Sequence, residues 1–158
     1  MGTMLDKLAA KQRAHEQWRV QLAAILAAHG QWLADQNTGR QAELSGADLR
    51  KAELSGANLS RANLGGANLS GARLGAANLT RANLSGADLR NAILRGADLR
   101  QADLSLANLR GADLTAVDLA GANLHGADLG GIRMGDTLLR HGAVPDRDTG
   151  RPNGVTED

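Results

Sequence analysis

Ala-Asp-Leu-Arg-Lys (47–51), Ala-Glu-Leu-Ser-Gly (52–56), Ala-Asn-Leu-Ser-Arg (57–61) and Ala-Asn-Leu-Gly-Gly (62–66) follow one another without a gap. The same frame extends outward in both directions. A leucine stands at every fifth position from Leu44 to Leu129, eighteen in all. Two residues before each leucine is an alanine, from Ala42 to Ala127, with Val117 the one exception. Between them lies Asp, Asn or Glu in all but two pentads, which carry Arg73 and Ile93. The unit therefore reads Ala-(Asp/Asn)-Leu-X-X.

A period of five suits neither regular element. On an α-helix, five residues turn through about 500°, so successive leucines would walk around the axis. Each interior glycine would also cost near 1 kcal/mol relative to alanine. On a flat strand, an odd period throws alternate leucines onto opposite faces. Within one pentad, however, Ala and Leu are two apart and point the same way from a short extended stretch. If the X-X pair turns a corner, every pentad sends its Ala and Leu inward. Gly, Ser and Asn at or beside that corner suit tight turns. The expected fold is a solenoid with a column of leucines beside a column of alanines.

These runs, together with Ala-Asp-Leu-Arg-Gln (97–101), resemble the pentapeptide repeat family over residues 42–131. The resemblance implies an all-β solenoid, a right-handed quadrilateral β-helix with four pentads per coil. It also implies that the central Leu and the preceding small residue face inward. The family often places Phe at the central position; this chain has none, so a uniformly leucine-filled core is expected. Such a core changes little on slipping by a whole pentad, so the ends must set the register.

Solenoid ends need covers, because a terminal coil exposes an apolar cross-section. Thr3-Met4-Leu5-Asp6 resembles a capping box with Asp in place of Glu. Trp18, Leu22, Ile25, His29 and Trp32 or Leu33 fall on one face of a helix. An amphipathic helix over 3–36 is expected to cap the first coil, ended by Asn37-Thr38-Gly39, with the β-helix over 41–135. A short C-terminal cap over 136–142, with an Asp136 N-cap, and a disordered tail over 143–158 complete the expected layout.

Composition removes several kinds of chemistry. There is no cysteine, which excludes disulfides, thiolate metal sites and a cysteine nucleophile. The net charge is +1, which gives little reason to expect a nucleic acid or an anionic membrane as partner. No apolar run reaches the roughly 20 residues of a membrane span, and no secretory leader is expected at the start. A cytoplasmic protein is expected, and the Ala-, Arg- and Gly-rich usage fits a bacterial source.

The acidic column of Asp48, Asp88, Asp98, Asp103, Asp113, Asp118 and Asp128 invites a catalytic or metal reading. Asn alternates freely with Asp at that position, which a general base or a Ca²⁺ ligand would not tolerate. Hydrogen bonding to nearby backbone at the corners explains the exchange better. His15, His29, His125 and His141 have no metal-ligand spacing, and no phosphate loop is present. His29 is expected to pack or hydrogen-bond within its stripe. No enzyme, cofactor or metal site is expected.

Folding the pentads four to a coil, as the resemblance implies, distinguishes the faces. One carries Ser45, Gly65, Ser85, Ser105 and His125, which are small and nearly uncharged. The next carries Arg50, Ser70, Arg90, Arg110 and Gly130. A third carries Gly75, Arg95 and Thr115. On the fourth, Arg61 and Arg81 stack at a corner with Gln101, near Arg100. Arg50, Arg90, Arg110, Arg61, Arg81 and Arg100 are therefore the candidate docking surface for an acidic partner. Arginines one coil apart should repel unless the adjacent aspartates neutralise them.

The expected role is a rigid, non-catalytic scaffold for protein–protein interaction, docking another protein or a second copy of itself. The resemblance also implies an alternative, a DNA mimic that binds and inhibits or protects DNA gyrase. That mechanism needs a negative surface, whereas residues 42–134 carry nine acids against ten bases. Direct nucleic-acid binding is not expected, since the arginines alternate with acids and no aromatic residue stands in the coils.

Overall fold

The computed structural model describes residues 4–135 of the chain. The expected cap at 136–142 and tail at 143–158 lie outside the described residues. The chain divides into a helical unit, Met1–Ala42, and a repeat unit, Glu43–Asp158.

In the first unit, helix α1 runs from Met4 to Ala34. Its Ala-rich, proline-free sequence favours the helical backbone throughout. The expected stripe is the less exposed side of the helix: Leu22 and His29 are buried, and Trp18, Ile25, Trp32 and Leu33 are half-buried. Met4, Leu8 and Val20 are exposed. The helix stops two residues short of the expected 36, because Asp35 turns the chain. The Asp35 side chain accepts the Asn37 backbone N–H at 3.0 Å, and the Asp35 carbonyl accepts that of Thr38 at 2.9 Å. Gly39 follows at φ +67°, where a Cβ would run into the Ala28 carbonyl oxygen, so the chain can pass here only as glycine. The tight return lets Arg40 donate to the Ala28 carbonyl at 3.1 Å.

The repeat unit is built from one local device used over and over. In Ala82-Asn83-Leu84-Ser85-Gly86 every backbone N–H has an acceptor, as a closed interior requires. Ala82 donates to the Leu79 carbonyl across the preceding corner at 3.0 Å. Asn83 donates to Ala62 at 2.9 Å, Leu84 to Asp103 at 2.7 Å and Gly86 to Ser105 at 2.8 Å, all in adjacent coils. Ser85 donates to its neighbour's side chain, the Asn83 Oδ1, at 3.0 Å.

Parallel bridges pair Glu43 with Asn63, Asp48 with Asn68 and so on to Asp113 with Arg133, always twenty residues apart. Twenty residues are four pentads, so the coil has four sides, as the resemblance implies. Each side contributes a single bridging residue, and among the described residues no longer strand forms. A corner every five residues leaves only three between turns, too few for an extended ladder along the chain.

Every corner has the same geometry. The leucine carbonyl accepts the N–H three residues on, and the fifth pentad position has φ > 0, the signature of a type II turn. The sequence suggested small residues there, yet eight of these positions are not glycine: Lys51, Arg61, Ala76, Arg81, Asn91, Gln101, Leu106 and Ala116. Such a backbone costs of order 1–3 kcal/mol for a residue with a Cβ. In seven of the eight, from Lys51 to Leu106, the N–H is bound to a carbonyl of the next coil, which holds the corner there regardless.

All eighteen leucines from Leu44 to Leu129 are buried, most of them completely. The alanine column is fully closed from Ala62 upward, and Val117 is buried within it. In the first coil Ala47, Ala52 and Ala57 are only half-buried.

Candidate docking surface

The polar column explains its own composition. At all fourteen Asp or Asn positions from Asp48 to Asp128, Oδ1 accepts the backbone N–H two residues later, at 3.0–3.3 Å. Aspartate and asparagine both carry that oxygen, so they exchange freely. Its task is to satisfy an N–H that the corner turns away from the neighbouring coil. Amides add a second layer: Asn63 donates to Glu43 at 2.8 Å, Asn83 to Asn63 at 3.1 Å and Asn123 to Asp103 at 3.0 Å.

The six arginines of the candidate surface occupy three settings. Arg50, Arg90 and Arg100 each lie beside an aspartate two residues earlier and grip it with both Nε and Nη2. The Nε–Oδ1 distances are 2.8–2.9 Å and the Nη2–Oδ2 distances 2.6 Å. Arg100 also stands 3.7 Å from Asp118 in the next coil. Arg110 follows an asparagine instead and reaches Asp128 in the next coil with Nη1 at 3.4 Å. Arg61 and Arg81 occupy corners, and Arg81 donates through Nε to Gln101 Oε1 at 2.7 Å. The feared repulsion between stacked arginines is therefore answered in four of the six cases by carboxylates of the chain itself.

Arg90 and Arg110 are brought together around a shallow depression of about 350 Å³, lined also by Asn91, Gly111, Gly130 and Gly131. Arg50 stands two coils from Arg90, with Ser70 between them. Arg61 and Arg81 share a different corner, beside the side that carries Arg100.

Sequence reading missed the pairs that join coils. Arg95 donates to Asp113 at 2.7 Å and Arg73 approaches Glu53 at 3.4 Å. The signal was available as a basic and an acidic residue eighteen or twenty positions apart, but only once the coil length is known. Asp113 is the buried acid of the coils. Burial pushes its carboxyl upward, but hydrogen bonds from Thr115 and Arg95 outweigh that and leave it below the usual aspartate range.

The grip of Arg50, Arg90 and Arg100 holds Asp48, Asp88 and Asp98 below the ordinary aspartate value of 3.8. A carboxyl whose pKa is lower folded than unfolded stabilises the fold above its unfolded value. That contribution is lost as pH falls through the folded value, so resistance to urea should decline below pH 3.8. The effect is modest for such exposed pairs. The triple change Asp48→Asn, Asp88→Asn, Asp98→Asn keeps the Oδ1 acceptor and should flatten the urea midpoint between pH 5 and 2, as measured by circular dichroism. An unchanged slope would refute the assignment.

His29 packs within its stripe, as expected, and hydrogen-bonds beyond it. Its Nδ1 accepts the Ala42 N–H at 3.0 Å, and its ring stacks on Trp32 with centroids 5.7 Å apart. Among the described residues no helix is long and apolar enough to cross a membrane, and no group of three His, Asp or Glu side chains converges.

The family model described as pentapeptide repeats matches in eight copies, over residues 40–66, 57–96, 67–105 and 92–136. None of the curated proteins matches the chain significantly. Among solved structures, the chain is similar to a pentapeptide repeat protein from the Arabidopsis thaliana thylakoid lumen. The two are 35% identical over 64% of this chain and 70% of that one, with a TM-score of 0.62. The protein Rfr23 from the cyanobacterium Cyanothece 51142 is 38% identical over 56% of this chain and 63% of its own, with a TM-score of 0.40. QnrB1, a plasmid-mediated fluoroquinolone resistance protein, is 17% identical over 60% of this chain and 73% of its own, with a TM-score of 0.34.

Proposed function

The chain belongs to the pentapeptide repeat family, and on that premise we propose that it is a rigid, non-catalytic scaffold that docks an acidic protein partner on its arginine-bearing sides. The observation that carries this reading is the use made of the outward polar groups. Each Asp and Asn of the column from Asp48 to Asp128 commits its Oδ1 to the corner N–H two residues on, a structural task rather than a chemical one. What remains for a partner is a set of guanidinium groups at fixed spacing, three of them locked by their own carboxylates. Groups held in place lose little freedom on binding, which favours recognition over chemistry.

The proposal takes the family's right-handed coil and, on composition alone, a bacterial cytoplasm. A second copy of the chain is an admissible partner. A gyrase-binding DNA mimic fits less well, because nine acids against ten bases leave no net negative field to imitate a duplex.

The test is capture of partners by purified chain at low and high salt, beside the variant Arg50→Ser, Arg90→Ser, Arg110→Ser. An acidic protein should be retained at 50 mM salt, released at 500 mM and lost in the variant, because exposed ion pairs are screened. A partner set indifferent to both salt and the variant would sink the docking surface. A supercoiling assay with gyrase, with a gel shift on DNA alone, separates the alternative: inhibition without a shift would replace the scaffold reading.

A further inference from the structure

The coils contain four Asx-Leu-Arg tripeptides: Asp48-Leu49-Arg50, Asp88-Leu89-Arg90, Asp98-Leu99-Arg100 and Asn108-Leu109-Arg110. In the first three, the guanidinium edge formed by Nε and Nη2 holds both oxygens of the aspartate. The fourth has the same backbone, and Asn108 Oδ1 accepts the Arg110 N–H at 3.1 Å like its counterparts. An amide, however, cannot take that edge. Its one oxygen can face only one of the two donors, and its NH₂ would meet the other. Arg110 accordingly makes one side-chain contact, from Nη1 to Asp128 at 3.4 Å, and its Nε and Nη2 engage no described residue.

The surroundings leave that edge reachable. The Arg110 side chain is 63% exposed. Gly111, Gly130 and Gly131 line the depression beside it and raise no side chain over it, while Arg90 and Asn91 form its other side. Arg90 has Nε and Nη2 bound to Asp88, and its Nη1 engages no described residue.

We propose that the Arg110 edge, with Arg90 and Asn91 beside it, is the point at which this scaffold takes a single aspartate or glutamate side chain of its protein partner. The inference rests on the scaffold reading and names its specificity. The occupant is a carboxylate because the chain itself satisfies this edge with a carboxylate three times, in one geometry. Paired N–H donors in a plane match the two oxygens of that group. A nucleic acid suits the site poorly. Asp88 and Asp128 offset Arg90 and Arg110, so the depression offers a directed pair of donors but no net positive field for a run of phosphates.

The test uses the whole chain labelled with ¹⁵N, following the Nε–Hε resonances of its arginines during titration with the peptide acetyl-Gly-Glu-Gly-amide. Sodium acetate and sodium phosphate at matched ionic strength are the controls. Peptide and acetate should shift the Arg110 resonance saturably, while those of Arg50, Arg90 and Arg100 stay in place. Asn108→Asp closes the edge from within. It should move the Arg110 resonance to where the three gripped arginines lie and abolish the response, with folding intact because three native pentads already carry that pair. Arg110→Lys keeps the charge, removes the fork and should give no saturable response elsewhere on the coil.

Equal shifts at all four arginines, an undiminished response in Asn108→Asp, or a stronger response to phosphate than to acetate would each overturn the proposal. Partner capture reads the scaffold separately. A partner retained at full strength by Asn108→Asp would keep the scaffold and remove this site. A responsive Arg110 with no protein partner would do the reverse.

Discussion

Changing Leu84 to Ala should cost about 3–5 kcal/mol of stability, the upper range for a leucine removed from a closed core. Leu84 is fully buried in the middle of the stack, with Leu64 one coil before it and Leu104 one coil after. A cavity costs most where its walls cannot move inward, and here they are pinned. The residue donates to Asp103 in one neighbouring coil, and Asn83 beside it donates to Ala62 in the other. Collapse around a missing side chain would stretch both. A coil in a stack also supports its neighbours, so the loss spreads to the interfaces on either side. The control is Asn83→Asp, one residue away, which keeps the Oδ1 acceptor but loses the amide bond to Asn63, and should cost only about 1 kcal/mol. Urea unfolding followed by far-ultraviolet circular dichroism reads both. A Leu84→Ala cost below about 1 kcal/mol would mean that the coils can re-pack.

The pentad was legible because its chemistry is local. Leucine at every fifth position, alanine two before it and an interchangeable Asp or Asn between them reflect contacts made within five residues or the same contact repeated. The number of sides is different. Nothing within one pentad fixes how many corners close a coil, so four came from the resemblance, and only the Glu43–Asn63 type of bridge measures it. Everything that depends on coil length was hidden with it, including Arg95 with Asp113 and Arg110 with Asp128.

The corner residues were obscured for another reason. Lys51, Arg61 and Leu106 have no preference for φ > 0, and hydrogen bonds from adjacent coils impose it. The docking surface was half legible. The arginines were found from their alignment along the coil. Their pairing, however, lies in the tripeptide: charge counting sees Asp-Leu-Arg and Asn-Leu-Arg as differing by one unit, whereas the geometry sees one closed edge and one open.

Enlarging the alanine column tests the same core from the opposite side. Ala87→Leu should destabilise the chain by about 3 kcal/mol, at the high end for overpacking. Ala87 is fully buried, and its N–H is bound to the Leu84 carbonyl across the corner at 3.0 Å. Its Cα therefore cannot retreat to make room without opening the turn. Leu84 and Leu89 flank it in sequence and are themselves fully buried, so the added carbons meet side chains that have nowhere to go.

Val117 shows that the column is not uniform. It is the one larger residue in the series and is buried at 1% exposure, so the interior at that level accommodates two more methyl groups than elsewhere. Val117→Ala should accordingly cost about 1–3 kcal/mol as a cavity, while Ala87→Val should cost as a clash. Opposite responses to the same pair of residues on two sides of the solenoid would establish that each alanine position is packed to its own volume. Equal tolerance of valine at 87 and 117 would instead indicate a core with slack. The same uniform leucine filling would then let pentads slip past one another, which a fixed set of cross-coil pairs such as Arg95–Asp113 could not survive.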